Sequence, residues 1–293
     1  MRHPLPALVL AVACGVAAPA AAQPKSTDVY VSVVDSKGEP ASGLTAEDFR
    51  VREDGVAREI LKAGPATEPL TVALLVDDSQ ATTRAIQMIR EAVETFITAL
   101  SGKAEISIVT FGERPTIALD YTSDQKRLHD AAKRIFPRAG AGAYLTEAIR
   151  EVSRGLQKRE AKRPVIAVLA MNNEVEFSNL HYEQVLDELN KSRAALHVIS
   201  LGEMSTSMND ERRNRDQVIA LGTERTGGRR DDVLAFTAAA PKMKQLASEL
   251  LQQYVVTYVR PEQLIPPEKI DITVTKTGLT ARAGTRTREA GAR

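Results

Sequence analysis

The sequence predicts a doubly wound α/β domain, with a small β module formed by the N- and C-terminal flanks. Three observations carry that expectation. Continuous apolar runs recur at Leu70–Val76, Val165–Ala170 and Leu196–Leu201, the mark of strands buried on both faces. Amphipathic segments at helical spacing separate them, the alternation that builds a mostly parallel sheet covered on both sides. The two ends of the chain instead alternate apolar and polar residues, as half-buried strands do.

Residues 1–22 read as a signal peptide. Met1-Arg2-His3 is a positive start, Leu5–Ala18 is apolar, and Ala20-Ala21-Ala22 supplies the small residues a signal peptidase accepts. Gln23 is then the mature N-terminus, and the protein is exported, either to the periplasm or out of the cell. The apolar stretch is too short and Ala-rich for a stable span, and no other segment approaches the ~18 apolar residues one needs. Cys14, the only cysteine, leaves with this segment or serves as a lipid acceptor, although Ala11 stands where such motifs usually carry Leu. A chain without thiols suits an oxidising compartment.

Residues 23–66 read as a β segment and linker. Asp28–Asp35 and Asp48–Glu53 alternate, Asp54-Gly55 is a hairpin signal, Val56–Ile60 is the return strand, and Gly64–Pro69 has linker composition. Residues 67–253 form the α/β domain. Helices are expected at Thr82–Leu100, Asp124–Phe136 (capped by Ser123 or Asp124), Leu145–Leu156, Tyr182–Lys191, Asp210–Leu221 and Lys242–Leu251. Further strands are expected at Ile106–Phe111 and Thr116–Leu119, and Thr226-Gly227-Gly228 reads as a turn. In 254–283, Tyr254–Val259 and Ile270–Val274 alternate and Leu279–Ala283 is a third candidate, with Pro261, Pro266 and Pro267 keeping the loop out of a ladder. Each flank alone has too few strands to be stable, so the two are expected to pair. Residues 284–293 are polar and basic, and read as a disordered tail.

Composition narrows the function. The 293 residues are 43% apolar and 26% charged, with a formal charge of +1, so no strong field points to nucleic acid or membrane partners. Aromatics are 4% and Trp is absent, which argues against stacking platforms for bases.

Asp77-Asp78-Ser79 follows the first buried strand. Gly43-Leu44-Thr45-Ala46-Glu47-Asp48-Phe49 and Glu53-Asp54-Gly55 precede it, and Thr226-Gly227-Gly228 and Gln253-Tyr254-Val255-Val256 come later. In order and spacing these segments resemble the VWFA-related bacterial proteins, a von Willebrand factor A group named from acidobacteria, over residues 28–283. The resemblance implies a Rossmann-like core and binding rather than catalysis. It also implies a divalent ion at the carboxyl ends of the strands, held by an Asp-x-Ser-x-Ser motif, a Thr and a final Asp. Asp77 and Ser79 match the first two positions. Ala81, Ala143 and Met171 stand at the other three, and none offers the oxygen a hard cation needs. A one-residue slip would bring in Asn172 or Asn173, and Glu147 or Asp78 would have to lean in.

Enzyme signatures are weak. There is no Gly-x-Ser-x-Gly elbow and no phosphate loop. Gly140-Ala141-Gly142 follows Phe136-Pro137 rather than a strand, so close packing is the expectation. His129, His181 and His197 have no metal-ligand spacing, and His197 reads as a core histidine. The helix Asn209–Asp216 reads as a solvated face, with a partner surface as the alternative. Arg229-Arg230-Asp231-Asp232 reads as a loop with local ion pairs.

The expectation is therefore an exported, non-catalytic protein-binding or scaffold module with a degenerate ion site. It has no catalytic residue, metal or cofactor, and its binding residues are Asp77, Asp78 and Ser79. Two alternatives stand: a Mg²⁺-dependent adhesion module with an atypical ion site, and a hydrolase built on Ser79 with His197 and Asp78. The partner is another protein, not nucleic acid, and the mature chain carries no membrane span.

Overall fold

A computed structural model describes residues 25–205, 209–260, 267, 269–284 and 288–289. The expected signal peptide, Cys14, Pro261 and Pro266 lie outside the described residues. The N-terminal flank holds β1 (Lys25–Asp35), β2 (Phe49–Glu53), β3 (Val56–Arg58) and β4 (Ile60–Pro65). The α/β domain follows with β5 (Leu70–Val76), α1 (Ile86–Ala99), β6 (Ala104–Thr110), β7 (Thr116–Thr122), α2 (Gln125–Lys133), α3 (Leu145–Lys158) and β8 (Pro164–Met171). It continues through α4 (Tyr182–Ser192), β9 (Ala195–Leu201), α5 (Asp210–Thr226), β10 (Arg230–Val233) and α6 (Ala239–Leu251). The C-terminal flank supplies β11 (Tyr254–Arg260), β12 (Ile270–Val274), β13 (Leu279–Ala283) and β14 (Arg288–Glu289).

The apolar runs form the centre of a sheet ordered β10-β9-β8-β5-β6-β7. All its pairs are parallel except β6 with β7. Every residue of β8 is buried, because helices cover both faces. Val72, Leu74, Val76 and Leu169 pack with α1 and α6 on one side. Ala73, Leu75, Ile166 and Val168 pack with α3, α4 and α5 on the other. Each fully buried Val, Leu or Ile among them contributes about 1.5–3 kcal/mol, so the two faces anchor the domain.

Several segments depart from the sequence reading. Thr82–Arg84 belong to a 3₁₀ turn, Gln80–Arg84, ahead of α1. The expected return strand divides. Val56–Arg58 stays with β2, whereas Ile60–Pro65 crosses to pair with β11. Gly64 and Pro65 are thus strand rather than linker, and an edge strand tolerates the proline. Arg229–Asp232 is not simply a loop, because β10 adds to the sheet edge alongside β9. The ion pairs expected there do form, Arg229–Asp231 and Arg230–Asp232.

The two flanks do pair. They build two sheets, β13-β1-β11-β4 with β14 on β1, and β12-β2-β3. Phe49, Val31, Val256 and Tyr258 close a third core between them. Residues 288–289, assigned to the tail by composition, pair with Thr27 and Asp28. The module rests against the α/β domain at a seam. Glu249 on α6 meets Arg282 on β13 at 2.7 Å and Arg229 at 3.2 Å. Gly227, at φ +71°, caps α5. A Cβ there would lie 2.3 Å from the Ala283 carbonyl carbon, so backbone meets backbone at the seam.

Candidate functional site

The carboxyl ends of β5, β6, β8 and β9 open onto one edge, the usual ligand edge of an open α/β sheet. Asp77 leaves β5 there and is fully buried. Its Oδ1 accepts the Ser79 N–H at 2.8 Å, and its Oδ2 accepts the Met171 N–H at 3.0 Å. Burial pushes the Asp77 carboxyl above its ordinary range, against the pull of those backbone N–H groups. Asp78 turns the other way. Its Oδ1 accepts the Gly112 N–H at 2.6 Å, and its Oδ2 meets Arg138 Nε at 2.7 Å. Ser79 is buried, and its hydroxyl faces the Asp77 carboxyl. The three consecutive residues expected as the site thus lie at one strand end, with Asp77 and Asp78 turned to different partners.

The remaining positions of the family's ion set do not fit a hard cation. Ala81 and Met171 pack into the apolar core on one side of the sheet, and Ala143 packs into the core on the other. Asn172 Nδ2 donates to the Gly202 carbonyl at 3.1 Å, while its buried Oδ1 has no hydrogen-bond partner among the described residues. Glu147 contributes its backbone N–H, which donates to Ser178 Oγ at 3.4 Å. Among the described residues, no group of three His, Cys, Asp or Glu side chains is placed to hold a metal.

A guanidinium occupies this region instead. Arg215, from α5, is fully buried and lies 2.6 Å from Glu174 and 4.0 Å from Glu176. It also meets Asp216 at 3.0 Å, and its Nη2 donates to the Met171 carbonyl at 3.3 Å. Its charge reaches Asp77 as well. Burial pushes Glu174 up to about 8 and Glu176 up to about 7, because one guanidinium is shared among several acids out of contact with water. The neighbouring Arg212 is also buried and donates to the Asn172 carbonyl at 2.8 Å. The helix expected to be a solvated face therefore turns two arginines inward. Asn209 starts it by accepting the Arg212 N–H at 3.0 Å.

The loop after β8 is inverted relative to ordinary surfaces. Glu174, Glu176 and Ser178 are buried, whereas Val175 and Phe177 between them are 56% and 50% exposed. The loop runs extended beside Ala143, whose N–H donates to the Val175 carbonyl and whose carbonyl accepts the Phe177 N–H, both at 2.8 Å. Successive side chains must then alternate, and the acids take the inward positions facing Arg215. Phe177 lies so close over Gly142 that a Cβ there would come within 2.0 Å of its ring. Gly142 serves close packing, as the sequence suggested for this turn.

No Ser79–His197–Asp78 arrangement forms. Leu74, Ala167 and His197 share one level of the sheet. Ser79 lies five residues further along its strand direction, about 16 Å at ~3.3 Å per residue. Asp78 is committed to Arg138, and His197 sits among Glu249, Arg282 and Arg229 at the seam. Burial pushes His197 down to about 4.

An open sheet with its loops gathered at one strand end, and this Asp-Asp-Ser turn among them, defines a Rossmann-like α/β domain. Residues 72–172 match the family model of the von Willebrand factor type A domain. The chain carries a von Willebrand factor A domain, and such domains are generally adhesion and interaction modules. Among solved structures, a von Willebrand factor type A protein from Catenulispora acidiphila matches with a TM-score of 0.52 at 11% identity, over 92% of this chain and 74% of that one. Proximal thread matrix protein 1 from the mussel byssus, with a zinc-occupied MIDAS motif, matches with a TM-score of 0.52 at 13% identity, over 68% of this chain and 49% of that one. The chain thus spans about half the length of the mussel protein. At these identities the likeness is one of fold. No curated protein matches the sequence. Among the described residues, no helix is long and apolar enough to cross a membrane.

Proposed function

We propose that this protein is a non-catalytic protein-binding module that works without a metal ion, through the strand-end loops around Asp77, Ala143 and Met171. The observation that carries this reading is Arg215. A permanent cation, buried among Glu174, Glu176 and Asp77, supplies the positive charge that a divalent ion would bring. The apolar packing of Ala81, Ala143 and Met171 leaves such an ion too few oxygens. The exposed Val175, Phe177 and Met204 at the same edge support a contact with another protein. The leader-like composition of residues 1–22 supports action after export.

The test is thermal unfolding with Mg²⁺, Mn²⁺, Ca²⁺ and a chelator. An ion that binds only the folded state adds roughly 2.7 kcal/mol at a hundredfold excess over its dissociation constant. The expected result is one midpoint in all four conditions. A saturable rise that Asp77→Ala abolishes would restore the adhesion-type ion site and overturn the proposal.

A further inference from the structure

Beside Asp78 the strand-end edge opens into a cleft of about 600 Å³ between β7 and α2, and its lining includes Arg127, Arg134, Phe136 and Arg138. The carboxylates of the cleft are already engaged. Asp78 is held by the Gly112 N–H and by Arg138. Asp130 is held by Lys126 at 2.7 Å, which pulls its carboxyl below the usual range, helped by Lys133 and Arg134. Arg138 also reaches Glu113 at 3.3 Å. Among the described residues, Arg127 and Arg134 have no carboxylate within ion-pair distance. The rim therefore carries two guanidinium groups without a direct carboxylate contact, although the chain as a whole is close to neutral.

The floor of the same cleft is apolar. Ala131 and Ile135 are buried beneath it, and Leu119 and Pro137 line it. Phe136 stands at its mouth, 60% exposed, with the Arg90 guanidinium 4.2 Å from its ring centroid. Guanidinium forks select carboxylates by paired N–H donation, and an exposed aromatic next to them rewards an apolar neighbour. Arg127 and Arg134 lie on α2 and at its C-cap, so a rigid element presents both.

We infer that this cleft is the docking site for an acidic peptide segment of the partner, one that places a carboxylate side chain next to an apolar one. The inference rests on the strand-end binding reading above and adds the partner's chemistry. The carboxylate pairs with Arg127 and Arg134, the apolar neighbour lies on Phe136 and Leu119, and no metal takes part.

The test is a selection from a random displayed peptide library on the immobilised full chain, with chelator present throughout. Winners are then measured by fluorescence anisotropy against wild type, Arg127→Glu/Arg134→Glu, Phe136→Ala and Phe177→Ala. The expected result is enrichment of Asp or Glu adjoining an aromatic or aliphatic residue. The charge reversal should weaken binding about tenfold or more, as should replacing the peptide's acid with its amide. Both arginines are exposed, so an unchanged melting midpoint will show that the variant folds. Arg127→Gln/Arg134→Gln serves as the milder version. Winners that respond to Phe177→Ala but not to the arginine variants would overturn the cleft while leaving the strand-end reading intact. Winners indifferent to every variant, or no enrichment at all, would overturn both. Citrate binding as tightly as the selected peptides would overturn the peptide assignment.

Discussion

Two buried charge clusters, one at the strand ends and one at the seam, use the same residue types to opposite electrostatic effect. At the strand ends, Glu174 and Glu176 share the Arg215 guanidinium, and burial drives both carboxyls up. At the seam, burial also pushes Glu249 up. There, however, His197, Arg282 and Arg229 together hold it below its ordinary value. Asp231 likewise ends below its ordinary value through Arg229 and Lys242, despite burial. The difference is the number of cations per carboxylate and their access to water. A single arginine split between acids in a dry site cannot repay their desolvation, whereas two arginines on the flank of the sheet can. The strand-end cluster is thus a costly device whose product is geometric. It fixes the loop that carries Val175 and Phe177 outward. The seam cluster is a fastener between two folded units.

The sharpest way to break this contrast is Arg215→Met. Above about pH 8, where both acids are ionised, removing the shared cation leaves them uncompensated and is expected to cost about 3–5 kcal/mol, read from the denaturant midpoint. A loss below about 1 kcal/mol would mean that the acids are simply protonated and the arginine is dispensable. Gly228→Ala comes next. A Cβ there would meet the Leu196 carbonyl oxygen at 1.8 Å, so the backbone must shift, at a cost of about 1–3 kcal/mol. Arg282→Met should cost less, about 1–2 kcal/mol, because Arg229 still faces Glu249. If it costs as much as the Arg215 change, the seam is not the better compensated region.

The two clusters also give opposite pH limbs. Glu174 titrates near 8 in the folded chain against an ordinary 4.5. Its contribution is full below about 4.5 and is lost as pH rises through about 8. Glu174→Gln should therefore flatten the fall in melting midpoint on the alkaline side. His197 titrates near 4 when folded against an ordinary 6.5. Its contribution is full above about 6.5 and is lost as pH falls through about 4. His197→Leu should flatten the acid limb and leave the alkaline one unchanged. Finding both limbs altered by one substitution would show that the clusters are coupled across the sheet.

Apolar runs and alternation determined most of the fold. Leu70–Val76, Val165–Ala170 and Leu196–Leu201 can be satisfied only by burial on both faces, so their placement in the central sheet followed from composition and period alone. The Asp77-Asp78-Ser79 turn was equally visible, because its residue types sit at the end of a strand. The pairing of the two flanks was expected from their being too few to stand alone. Their division into two sheets, with Ile60–Pro65 crossing over to β11, depended on distant partners that no local pattern encodes.

Only the tertiary structure decided what surrounds the site. Arg212 and Arg215 sit in a charged helix that reads as a wet surface, and Glu174 and Glu176 sit in a loop after β8. Sequence rules assign such residues outward, because an unpaired buried charge is prohibitively costly. The cost falls when an acid and a base from segments some forty residues apart meet. The alternation Glu174-Val175-Glu176-Phe177 was present in the sequence, but which half of it faces inward was set by the guanidinium waiting there. The charge of the strand-end edge is therefore a property of packing, and the chain's composition carries no trace of it.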